Sequence, residues 1–190
     1  MISFKNRLDK ILDRLTSDEL LTNRGLGNEI GFYIFDYPPE FELEMREHIQ
    51  FIIRQLPKKK PDIQFKHINL FELVIGYLRQ RKLLDKAIKI QLKQGNQRFL
   101  KAIKGALSPD KIAKAFIAEA DPENNDLVLI SGIGSLYPVL RSHNLLNNLH
   151  SLMENTPLVM FYPGTYTGQG LRLFGRLTEV NYYRAFQLVV

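Results

Sequence analysis

Apolar residues recur along this chain with two periods, and each stretch shows which one it follows. Phe4, Leu8, Ile11, Leu12 and Leu15 fall at helical spacing, so a helix is expected over about residues 4–15, capped by Ser3. Thr16-Ser17-Asp18-Glu19 predicts a short second helix opened by a capping box between Thr16 and Glu19, and Asn23-Arg24-Gly25 ends it. GFYIFDY (31–37) predicts the first strand. Pro38-Pro39 stops it and starts a helix to about Leu56, with Phe41, Met45, His48, Ile49, Ile52 and Ile53 at helical spacing. IQFKHINL (63–70) predicts the second strand. Helices are expected over 71–82 and 84–105, and from the cap Ser108-Pro109-Asp110 to about Ala120. Residues 121–125 are rich in turn formers. DLVLISGIG (126–134) is apolar on both faces, which predicts a central strand of a parallel sheet. Ser135 and Pro138 are expected to open a helix to about Glu154, and PLVMFYP (157–163) predicts another strand. GTYTGQG (164–170) reads as a glycine-rich loop, and two short strands, about 171–174 and 184–189, finish the chain.

Strands alternating with helices give an α/β protein: a mostly parallel sheet with helices on both faces, a three-layer, Rossmann-like arrangement. The helices at 71–120 exceed one crossover and are expected to form a small basic helical lobe, and the last two strands a short C-terminal strand pair. Residues 1–190 read as one domain and 1–25 as a helical lead-in. Cysteine is absent, which excludes disulfides, cysteine-ligated zinc, iron–sulfur clusters and a thiol nucleophile. Apolar runs fall short of the roughly 20 residues that a membrane-spanning helix requires. The first residues mix charge throughout, unlike a signal peptide, so a cytoplasmic location is expected.

Charge sharpens the picture. Residues 1–53 carry 6 Lys/Arg against 10 Asp/Glu, residues 54–104 carry 14 against 3, and residues 105–190 carry 6 against 7. A basic middle third attracts nucleic acid, an acidic protein surface or the acidic segment of a second copy. Lys82, Lys86, Lys89 and Lys93 step by 4, 3 and 4, and Lys101 and Lys104 continue near the same line. On one helix these form a stripe, which Gly95 would split in two. No aromatic residue alternates with them to stack a base, so DNA is a weaker reading than a solvated face or a protein contact.

In a parallel sheet, ligands gather at the carboxyl ends of the strands, here Asp36, Asn69, Ser131–Ser135 and Pro163–Gly170. Ser131-Gly132-Ile133-Gly134-Ser135 is a G-x-G with Tyr137 where a dinucleotide turn wants glycine, and reads as a tight strand-to-helix turn rather than a degenerate nucleotide site. The 164–170 loop lacks the lysine of a phosphate-binding loop and, with an exposed tyrosine and threonines, suits a partner contact. His143 and His150 lie seven apart, too far to share one metal ion. Asp36 stands without a second carboxylate for a two-metal site. No catalytic residues, metal site or cofactor follow from these positions. The partner-contact set is Arg141, His143, Tyr166, Thr167 and Arg172, with the six stripe lysines as a contact for nucleic acid or an acidic partner.

The C-terminal third carries the most specific sequence: Ser131-Gly132-Ile133-Gly134-Ser135-Leu136-Tyr137-Pro138, Arg141-Ser142-His143, Phe161-Tyr162-Pro163-Gly164, Arg172-Leu173-Phe174-Gly175 and Asn181-Tyr182-Tyr183-Arg184. With Asp36-Tyr37-Pro38-Pro39 near the start, this resembles the BrxB family of the bacteriophage exclusion (BREX) defence systems. The resemblance implies a component of a multi-protein phage-defence apparatus and brings no catalytic motif. It implies a scaffold or adaptor whose most plausible direct partner is the alkaline-phosphatase-like PglZ protein. The alternative is a nucleic-acid-binding subunit using residues 54–104.

Overall fold

Leu127–Ser131 is buried along its whole length because both of its faces are covered. The computed structural model describes residues 3–22, 31–153, 155–178 and 185–190. Its strands are β1 (Phe32–Tyr37), β2 (Phe65–Asn69), β3 (Leu127–Ser131), β4 (Leu158–Tyr166), β5 (Leu171–Leu173), β6 (Leu177–Thr178) and β7 (Phe186–Gln187). The main sheet runs β2-β3-β4-β1-β7 and every pairing within it is parallel. The α-helices are α1 (Phe4–Leu15), α2 (Asp18–Leu21), α3 (Glu42–Lys59), α4 (Leu70–Gln80), α5 (Leu84–Lys104), α6 (Pro109–Ala120) and α7 (Ser142–Leu149). The fold is the expected α/β sheet layered between helices.

Period-two alternation divides the core. Phe32 and Ile34 of β1, Val128 and Ile130 of β3, and Leu158, Met160 and Tyr162 of β4 face a cluster shared with α4 to α7. Tyr33, Phe35 and Tyr37, Leu127 and Leu129, and Val159 and Phe161 face the opposite cluster, built by α1, α2 and α3. The helices at 71–120 therefore lie over one face of the sheet and share its core.

Several local expectations change. The second helix is capped by Ser17, whose hydroxyl accepts from the Leu20 N–H. Glu19 does not close the expected box with Thr16; it forms two hydrogen bonds with Arg14, at 2.7 and 3.1 Å. The helix expected from Ser135 begins at Ser142, after a short 3₁₀ turn at Gly134–Leu136. Tyr137 is extended (φ −69°, ψ 136°), as a residue preceding proline prefers, and a helix cannot pass through it. The 164–170 segment is no open loop: β4 continues to Tyr166 and turns into an antiparallel hairpin with β5. Gly164 permits this, because a Cβ there would sit 2.2 Å from the Arg172 carbonyl oxygen. The two terminal strands do not pair with each other. β5 pairs with β4 and β6, whereas β7 extends the main sheet beside β1. The Asn23-Arg24-Gly25 stop, the Glu154 helix end and the Asn181–Arg184 motif lie outside the described residues.

The hairpin geometry makes a prediction. Gly164→Ala forces backbone apart and is expected to destabilise by about 1–3 kcal/mol. Gly105→Ala, at a helix end with open space around it, is expected to be neutral or stabilising by up to about 1 kcal/mol. Urea unfolding midpoints of the two variants check the contrast.

Candidate functional site

At the carboxyl end of β1, Asp36 is buried and fully committed. Its Oδ1 accepts from Arg7 Nη2 at 2.7 Å and its Oδ2 from the Tyr166 backbone N–H at 3.0 Å. Arg7 also donates to the carbonyls of Asp36 (2.9 Å) and Val189 (3.2 Å), and its guanidinium lies 4.7 Å from the Phe35 ring centre. One charge pair thus joins α1, β1, the end of β4 and the C-terminal segment. A charge-assisted pair with this many partners is strong where both groups are shielded from water.

Next to it, the turn after β3 is filled by side chains from neighbouring strands. Asn69 caps α4 by accepting from the Phe71 and Glu72 N–H groups. Gly132 has φ +73°, and a Cβ there would meet Asn69 Oδ1 at 2.2 Å. Gly134 makes room in the same way for Phe174 and Pro163, each 2.9 Å from where its Cβ would stand. Both glycines of the G-x-G are accounted for by protein packing, as a tight turn requires.

The sequence reading missed one pairing. β2 and β3 run in register, Asn69 opposite Ser131, and this brings His67 Nε2 to 2.9 Å from Ser131 Oγ. The pair lines an open cleft of about 650 Å³ together with Glu47, Asn69, Glu72 and Ser135. Burial pushes the His67 imidazole below its ordinary pKa, keeping it neutral. A neutral imidazole can accept from a serine hydroxyl, the first half of a nucleophilic arrangement. A triad would further orient the other ring nitrogen with a carboxylate, and no such hydrogen bond occurs among the described residues. The two residues are 64 apart in sequence, and only strand register could have revealed them.

The expected contact residues separate. Thr167 and Arg172 are exposed, as is Thr165, which lies opposite Arg172 in the hairpin. Tyr166 is buried at 1 % exposure, so the expected exposed tyrosine is corrected. Its hydroxyl donates to the Ala185 carbonyl at 2.6 Å, and its own carbonyl accepts from Gln187 Nε2 at 3.2 Å. The reason is alternation: Tyr166 falls on the inward side of a strand that was expected to have ended. Arg141 is exposed just before α7, and His143 is buried in its first turn. Lys82, Lys86, Lys89, Lys93, Lys101 and Lys104 are all exposed, and Gly95 (φ 78°, ψ 176°) splits the stripe as expected.

Two predictions follow from this geometry. Asp36→Ala removes the partner of the half-buried Arg7 guanidinium and of the Tyr166 N–H; a loss of about 3 kcal/mol is expected, with faster hydrogen exchange at the Tyr166 amide. His67 contributes to pH dependence with a definite sign. Its folded pKa lies below its unfolded value near 6.5, so the unfolded chain binds more protons as pH falls. The stability contribution is full above that value, declines as pH drops through it, and levels off below the folded pKa. His48 shifts in the same direction, also chiefly by burial. Urea titrations between about pH 7.5 and 5 should show a decline that is shallower in His67→Gln and shallower again in the double His48→Gln/His67→Gln variant.

Comparison with known proteins agrees with the resemblance in the sequence. The family described as "BREX protein BrxB" matches residues 66–188. A "BREX protein BrxB" of Bacillus cereus (strain H3081.97) is 42% identical over 193 residues, covering 100% of this chain and 99% of that protein. A protein of the same description from Escherichia coli O9:H4 (strain HS) is 40% identical over 183 residues, covering 96% of this chain and 90% of that protein. A family match across most of the chain, with relatives of this identity over almost its full length, means that the chain belongs to the BrxB family.

Proposed function

We propose that this protein is a non-catalytic adaptor of the BREX anti-phage defence system, working in the cytoplasm and binding the system's alkaline-phosphatase-like component, PglZ. Family membership supports the place in the system. The observation that carries the adaptor role is the β4–β5 hairpin. Its inner side is locked into the core by Tyr166, Leu171 and Leu173, while Thr165, Thr167 and Arg172 stand exposed on the outer side. A loop held rigidly by its scaffold loses little entropy on docking, which is what a recognition surface requires. Arg141 supplies a further exposed cation.

A second reading has its own support: the six stripe lysines are exposed and make no ion pair among the described residues. Free cations of this kind also suit a nucleic-acid-binding subunit.

Light-scattering chromatography of the pure protein, alone and with PglZ, at about 0.15 and about 0.5 M salt separates these readings. A complex at both salts, weakened about tenfold or more by the double variant Thr167→Asp/Arg172→Glu, is the expected result. A complex seen only at low salt, and lost on reversing the lysines, moves the contact to the basic stripe. No complex at either salt overturns the adaptor reading. Binding to duplex DNA, with affinity falling steeply as salt rises, then becomes the expectation.

A further inference from the structure

Two helical ridges on opposite faces of the sheet have no partner among the described residues. The first is on α5. Gly95 breaks this helix, and in the half before it only Ala87 is buried. Ile88 (45 % exposed) and Leu92 (81 % exposed) stand one turn apart, with Lys89 and Lys93 beside them at the same spacing. The second is on α3, whose Leu43 (73 % exposed) and Phe51 (41 % exposed) lie two turns apart. Glu47 falls between them and Glu44 alongside, both exposed. Among the described residues, Lys89, Lys93, Glu44 and Glu47 make no ion pair.

The ridges match in pattern and oppose in charge. Residues 79–104 hold nine Lys/Arg and one Asp, whereas residues 40–47 hold four Glu and one Arg. That arginine, Arg46, is already paired with Glu42 at 2.8 Å. The buried side of α3 belongs to one core cluster and that of α5 to the other, so the sheet separates the ridges within a chain. They can meet only between two chains.

We propose that the Ile88/Leu92 ridge of one copy docks on the Leu43/Phe51 ridge of a second copy, with Lys89 and Lys93 against Glu44 and Glu47. A phosphate backbone would satisfy the lysines but leave Leu92 in water. Two apolar side chains are too few to hold a helix on a lipid surface. A helix bearing both apolar side chains and carboxylates satisfies the whole ridge. The contact is small, so the association is weak, with a dissociation constant of about 10–100 μM. The ridges lie on opposite faces of the sheet, so the contact is head-to-tail and repeats into a ring or an open chain of copies.

Sedimentation equilibrium of the pure chain, without any other component, tests this separately from the adaptor reading. The apparent mass is expected to rise with concentration at low salt. Leu92→Ser/Ile88→Ser, Lys89→Glu/Lys93→Glu and Glu44→Lys/Glu47→Lys are each expected to weaken association about tenfold or more. These positions are exposed, so thermal unfolding should stay near that of the parent. The two charge-reversed proteins pair an acidic α5 with a basic α3 when mixed, and the mixture is expected to associate again. A chain that stays monomeric at about 200 μM, association untouched by the variants, or a mixture that fails to associate would each overturn the proposal.

Discussion

The pairing of Arg7 with Asp36 ties the first helix, which no strand ladder reaches, to the sheet, the hairpin and the last residues. Arg7 comes from the first helix, Asp36 from the strand next to the sheet edge, and the remaining bonds run to the hairpin and the last residues. Both side chains are mostly removed from water, at 17 % and 11 % exposure. A charge in that position is tolerable only when its partner is in place, so the lead-in helix, the hairpin and the C-terminal segment must be set together. The acid that a sequence reader would test for catalysis is thereby used up in assembly. The same end of the sheet shows the rule elsewhere: Asn69 is consumed by capping and by contact with the turn at Gly132, and Tyr166 by its bond to Ala185.

What could be read from the sequence was what depends on periodicity. The first helix was expected over 4–15 and runs Phe4–Leu15, because its apolar stripe and its Ser3 cap agree. The apolar run at 126–134 contains an interior parallel strand, as unbroken hydrophobicity implies. Errors arose where one local signal overrode another. Arg14 claimed the carboxylate that the capping box needed. Pro138 held Tyr137 extended and delayed the helix by seven residues relative to Ser135. Gly164 signals a loop locally, but its missing side chain serves strand pairing.

The site was less legible, because its contacts are made across strands. His67 and Ser131 meet only once β2 is known to lie beside β3 in register, and nothing local to either residue signals it. Tyr166 was misplaced for a related reason. The outward Thr165 and Thr167 flank the inward Tyr166, a period-two pattern that continues the strand. That alternation is present in the sequence beside three glycines that signal a loop. Sequence did give the exposure of the lysine stripe and its break at Gly95, since both follow from composition and spacing alone.

The sheet also explains how the charge is distributed. A three-layer fold has two outer surfaces, and the chain gives each to different segments: α1 to α3 on one side, α4 to α7 on the other. At the end of α3, Lys59 and Lys60 pair with Asp13 and Asp18, but the acidic start of α3 and the basic α5 are kept on opposite faces by the apolar sheet between them. Charges separated in this way cannot neutralise one another within the molecule, and each face keeps its field for a partner. The basic helix α5 has the clearest excess. It spends 21 residues on two buried side chains, too little burial to account for its length by packing on its own core. Its exposed leucine and lysines are intelligible as a contact surface, and the complementary acidic ridge lies where only another molecule can bring it.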